Sequence, residues 1–157
     1  MIAGRRDGLS LMSYQAPTTI MEKTTDNTGD GCLSELLPQD AFAAAQMDAW
    51  LFWEQYSHEP YVAVCRFQLV YLGKQASELD PDKVKRGYAA LDHMERRLDQ
   101  SRFLVGETFS LADVALAAYT RLAHEGGFAM APYVAIRRWI GETEQQLGLP
   151  SIPPRQN

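Results

Sequence analysis

Phe109-Ser110-Leu111-Ala112-Asp113-Val114-Ala115-Leu116-Ala117-Ala118-Tyr119 carries a single charge, Asp113. Ser110 and Asp113 fit the pattern S-x-x-[DE] ahead of an apolar run, the capping box. In that arrangement the serine oxygen accepts from the N–H of Asp113. The carboxylate in turn accepts from the N–H of Ser110. Phe109 and Val114 take the two staple positions around the cap. A carboxylate in a first turn also suits the helix dipole. Asp113 is therefore read as a cap and not as a catalytic acid. The segment 109–123 reads as a helix apolar on all sides, hence central and buried. It is too short to cross a bilayer.

Working outward, the same periodicity recurs on both sides. Upstream, Asp80-Pro81 predicts a helix start, with Asp80 as N-cap and Pro81 at the first helical position. Val84, Tyr88, Leu91, Met94 and Leu98 then mark one buried stripe. Lys83, Lys85, Arg86, Asp92, Glu95, Arg96 and Arg97 fill a face in water. Further upstream, Pro38 suits a first helical turn, and Ala41, Phe42, Ala45, Ala49, Phe52, Trp53 and Tyr56 recur at three- and four-residue spacing. That breadth predicts burial on more than one side. Pro60 interrupts the pattern, because its ring crowds the carbonyl of Tyr56 and it has no N–H to donate. A kink is expected near 56–60, after which Tyr61, Val62, Val64, Phe67, Val70 and Tyr71 carry the pattern toward Gly73. Downstream, Val134, Ile136, Trp139, Ile140 and Leu147 anchor a last helix. No segment from 38 onward reads as a strand. The fold class is all-α, an irregular or orthogonal helical bundle.

The chain has 157 residues, with 15 Lys+Arg against 20 Asp+Glu and a net charge of −5. That balance argues against a nucleic-acid binder, which needs a basic stripe to displace counterions. The first 37 residues are rich in Thr, Gly and Ser and show no sustained periodicity. They are expected to be disordered or irregular, followed by one helical domain over 38–150 and a tail over 151–157. Cys32 and Cys65 lie far apart with no CxxC, which fits free thiols in a reducing compartment. No apolar run reaches the roughly 18 residues of a membrane span. No apolar stretch follows Arg5-Arg6, so no secretory signal is expected. The expected location is cytoplasmic.

Arg102-Phe103-Leu104-Val105-Gly106-Glu107-Thr108-Phe109 leading into the capping box resembles the signature stretch of the C-terminal, all-helical domain of cytosolic glutathione S-transferases. The aromatic helix Trp50-Leu51-Phe52-Trp53-Glu54-Gln55-Tyr56 is similar to the first helix of that domain in bacterial members. The resemblance covers about 36–149. It implies a homodimer or another protein partner, a hydrophobic electrophile as substrate and glutathione as co-substrate. In the family, an N-terminal thioredoxin-like domain activates the glutathione thiol. Residues 1–37 do not resemble that domain. Ser13, Tyr14 and Cys32 stand there in no context that would aim or activate them. The expectation is a truncated or rearranged form, with no catalytic residue, no bound cofactor and no transferase activity in these 157 residues alone. The alternative is a non-catalytic interaction or dimerisation module.

Candidate ligand contacts follow from the same resemblance. In the family, the end of the first helix borders the cleft where the electrophile binds, which singles out Tyr56, His58 and Glu59. A polar kink at the surface is the competing reading. His93 is expected in solvent, and His124-Glu125-Gly126-Gly127 reads as a helix end. Three histidines so dispersed do not suggest a metal site. Arg96-Arg97 and Arg137-Arg138 are expected to be exposed pairs. Ser110 and Asp113 complete the residues singled out, as a structural cap.

Overall fold

The computed structural model describes residues 35–151, and the expectations for residues 1–34 and 152–157 lie outside them. Among the described residues there are five α-helices: α1 (Ala41–Trp53), α2 (Glu59–Val70), α3 (Pro81–Gln100), α4 (Leu111–Thr120) and α5 (Val134–Leu147). A π turn, Glu54–His58, joins α1 to α2, and short 3-10 turns lie at Ala76–Glu78 and Ala123–Gly126. The only extended pairing among them is a pair of isolated bridges, Phe103 with Gly106 and Val105 with Thr108. The fold is all-α, as the sequence implies.

α1 starts three residues later than Pro38 suggests. The Asp40 carboxylate accepts from the N–H of Ala43 at 2.8 Å and fixes the first turn. α3 starts where expected, with Asp80 accepting from Asp82 N–H at 2.9 Å and Pro81 first in the helix. Its buried face holds Gly87, Ala90, Leu91, Met94 and Leu98. Gly87 is required there, because a Cβ would stand 2.4 Å from the Phe128 ring.

α4 packs on α1, α2 and α5 and is central to that extent. It is shorter than 109–123, and it is not buried all round. Ala112, Asp113, Leu116, Ala117 and Thr120 are buried, whereas Ala118 and Tyr119 face solvent. α5 also departs from its reading. Ile136 and Trp139 are fully buried, but Val134 is exposed.

The α3 acids expected in water hold the start of α5 instead. Glu95 accepts from the N–H groups of Ala135 at 2.8 Å and Ile136 at 2.9 Å, so a side chain from another helix caps α5. Asp92 accepts from the Tyr133 hydroxyl at 2.8 Å. At the other end of α3, Arg138 donates to the carbonyls of Leu98 (2.7 Å), Ser101 (3.1 Å) and Arg102 (3.1 Å). Arg138 is thus a cap for α3, while its neighbour Arg137 stays on the surface.

Both halves of the Ser110–Asp113 capping box form. The Asp113 carboxylate does more than cap. Its Oδ2 accepts from Ser110 N–H and Oγ–H, each at 2.9 Å. Its Oδ1 accepts from Leu104 N–H at 2.9 Å and from the Trp139 indole N–H at 2.8 Å. Burial pushes the Asp113 carboxyl above its ordinary range, and these donors pull it back in part. Removing the carboxylate strands several buried donors at once. Asp113→Ala is expected to cost about 3 kcal/mol or more of unfolding free energy, against about 1 kcal/mol for a simple N-cap. Asp113→Asn should also destabilise, because its amide NH2 would face Ser110 donors. Urea denaturation of the three proteins checks both.

Candidate functional site

Pro60 shapes the candidate site. It stands at the second position of α2 and cannot donate to Tyr56 O. The preceding turn widens so that Glu59 N–H bonds to Glu54 O, five residues back. The expected kink is therefore realised as a π turn over 54–58. Such turns recur at functional sites, because they re-aim side chains that a regular helix would space evenly.

The turn separates the three residues singled out around it. Tyr56 is 77% exposed. Glu59 is half-buried. His58 is fully buried, pointing to α4, with Nε2 3.0 Å from Thr120 Oγ1. Thr120 donates its own proton to Leu116 O at 2.7 Å, so the hydrogen-bond pattern assigns the proton between the two side chains to His58 Nε2. Nδ1 is then a bare acceptor, with no partner among the described residues. Desolvation lowers the His58 pKa to about 4.

Glu54 is the residue the sequence reading missed. It is buried, its Oε2 bonds Gln55 Nε2, and its Oε1 has no partner among the described residues. Burial raises its pKa, the Gln55 bond opposes this, and the nearby Glu59 charge adds to the rise. A positional signal did exist. Met47, Glu54, His58, Val62 and Cys65 share one register, and all five are buried.

Beside the turn, Trp50 and Trp53 meet edge to face with ring centres 5.1 Å apart. His93 packs on both indoles, at 5.2 and 5.0 Å, and is not simply solvated. Burial lowers its pKa, and Arg96 lowers it further. A hollow of about 330 Å³ lies between this cluster and α3, lined by Trp53, Ser57, Tyr61, Arg86 and His93 among others. Among the described residues no group of three His, Cys, Asp or Glu could hold a metal ion.

The solvent side of α1 is apolar and open. Phe42, Ala45, Ala49, Phe52 and Tyr56 repeat at three- and four-residue spacing, and all five are exposed. Phe42 is 72% exposed and Phe52 69%. The breadth of the pattern thus reflects a second apolar face left in solvent, where burial was expected.

Comparison with known proteins agrees with this architecture. The family model described as glutathione S-transferase, C-terminal domain, matches residues 76–142. The crystal structure of a glutathione S-transferase from Pseudomonas fluorescens is 42% identical, with a TM-score of 0.71. The match covers 79% of this chain and 62% of that one. A glutathione S-transferase from Xanthobacter autotrophicus is 41% identical with a TM-score of 0.69, over 76% of this chain and 59% of that one. A possible glutathione S-transferase from Rhodopseudomonas palustris is 30% identical with a TM-score of 0.68, over 73% and 58%. No curated protein matches.

The helical domain resembles the C-terminal domain of glutathione S-transferases. The chain spans about three fifths of the length of these solved structures. Within this domain, Glu54 and His58 are buried in the π turn that follows α1, and the apolar row of α1 is exposed. Among the described residues no helix is long and apolar enough to cross a membrane.

The low His58 pKa makes a signed prediction. A histidine held neutral in the fold gives stability that is present above its ordinary value of 6.5 and is lost as pH falls toward about 4. Glu54 acts in the opposite sense, because its raised pKa lets the fold take up a proton as pH falls. The stability lost through His58 amounts to at most about 3 kcal/mol. His58→Gln should flatten this pH dependence relative to wild type. Denaturant melts at pH 4, 5, 6 and 7 test it, and parallel curves for the two proteins would refute it.

Proposed function

We propose that this domain supplies the apolar side of an electrophile site in a glutathione-conjugating protein, and the contacts that pair two copies of it. Glutathione is the co-substrate in this reading, and the electrophile is hydrophobic. Tyr56 and Glu59 are the residues that meet the electrophile. His58 is a positioning residue, holding the π turn against Thr120 from below. Ser110 and Asp113 have no part in the chemistry and serve the fold alone. The match of residues 76–142 to the transferase C-terminal domain and the likeness to the bacterial transferases support the conjugation reading.

One observation carries the pairing. The row Phe42, Ala45, Ala49 and Phe52 is an apolar stripe of α1 on the solvent side, one turn short of Tyr56. Soluble proteins seldom leave such a stripe uncovered. Two copies meeting along it would bury aromatic rings at the centre, where contact energy concentrates. The same stripe favours a second reading, a non-catalytic module that pairs with another copy or another protein.

Sedimentation velocity separates these outcomes. The 157-residue chain is expected to sediment as a dimer, and Phe52→Glu to shift it to monomer with the helical circular dichroism unchanged. A monomer for both proteins would overturn the pairing. Trp50 and Trp53 report the electrophile side, through saturable quenching of their fluorescence by chlorodinitrobenzene that Tyr56→Ala weakens. A dimer without such quenching favours the interaction module over the electrophile site.

A further inference from the structure

A second cavity, of about 790 Å³, lies at the far end of the bundle, between the last turn of α4, the Ala123–Gly126 turn and the outer face of α5. It is separate from the proposed electrophile side and shares no lining residue with the hollow beside Trp53. Leu69, Phe128, Met130 and Ile140 supply its apolar surface.

Its charges sort unevenly. The Glu144 carboxylate is held by Arg121 at 3.0 Å, and Glu125 by Arg66 at 2.8 Å. Both acids in the lining are thereby neutralised. Arg137 also lines the cavity, and its guanidinium makes no ion pair or hydrogen bond among the described residues. The cavity therefore combines an apolar floor with one uncommitted cation, the usual makings of a small-molecule site.

Gly141 is the second observation. It sits inside α5, one turn beyond Arg137, and lines the same cavity. A glycine inside a helix costs about 0.5–1 kcal/mol relative to alanine. Elsewhere the fold explains its helical glycine, since Gly87 yields to the Phe128 ring. At Gly141 a Cβ would meet nothing within 4 Å, and its φ is not in the left-handed region. Packing does not require it. Its effect is to keep the wall of the cavity recessed beside Arg137.

We infer that this cavity is a binding site for a small amphiphilic carboxylate, its acid group paired with Arg137 and its apolar body laid over Gly141 against Ile140, Met130 and Phe128. The guanidinium fork matches a carboxylate in two parallel hydrogen bonds. A neutral apolar molecule would leave that cation unused, and a small inorganic anion would leave the apolar floor uncovered.

Decanoate is the probe, with decanol as neutral control and inorganic phosphate as bare anion. The full chain is labelled at its methionine methyl groups and titrated by NMR. Decanoate should shift the Met130 methyl saturably, and phosphate should not. Arg137→Gln should weaken decanoate by about tenfold and leave decanol nearly unchanged, the loss of one charge-assisted pair. Gly141→Leu should block both. Arg137 is a surface residue and Gly141→Leu raises helix propensity, so both variants should keep the wild-type circular dichroism. Absence of a saturable Met130 shift, saturation confined to other methionines, or equal decanoate affinity in Arg137→Gln overturns the assignment.

Discussion

The Asp113 carboxylate is the constraint on which the rest of this fold depends. Its two oxygens gather donors from three places: the loop at Leu104, the start of α4 at Ser110, and the middle of α5 at Trp139. Each donor is buried, so each needs an acceptor, and one carboxylate answers them all. The loop between α3 and α4 has almost no regular pairing of its own, yet Phe103, Leu104 and Val105 are in the core. Asp113 holds that loop against α4 and fixes the side from which Trp139 enters. A burial cost that would be prohibitive for a lone charge becomes tolerable because the lone pairs are filled.

The fold reaches across itself in the same way elsewhere. Glu95 caps α5 from α3, and Arg138 returns from α5 to cap α3. The two helices thus satisfy one another's free backbone ends. Neither helix end is complete without the other, which ties their formation together. Arg137, next in sequence, takes no part in this exchange, and it is the cation left to the cavity.

Local chemistry was legible in the sequence, and distant chemistry was not. Ser110 with Asp113 and Asp80 with Pro81 could be read because cap and helix lie within three residues of each other. Pro60 announced a break because its missing N–H is a property of one residue. The donors Leu104 and Trp139 stand 9 and 26 positions from Asp113, and no spacing rule joins them. Glu95 looked like a solvated acid because nothing nearby hints at the end of α5. Tyr56, His58 and Glu59 stand out together through the family resemblance of the first helix's end, and the π turn sends Tyr56 outward and His58 inward. Glu54 needed the buried register of Met47, His58 and Val62 to be noticed. That register was readable, but the exposed aromatic row on the same helix masked it.

Where local rules are broken, the breaks fall outside the Asp113 network. The stabilising devices cluster on α3, α4 and α5, where caps are filled and the buried polar atoms of Asp113 are answered. The departures are the π turn with two unanswered polar atoms, the aromatic row in solvent, and the helical glycine with open space above it. Each costs stability that a regular choice would keep: a straight helix, a polar surface, an alanine. A fold under selection for stability alone has no reason to hold all three. Their placement divides the domain into a scaffold that Asp113 organises and stretches that depart from local rules, and the cost is concentrated in those stretches.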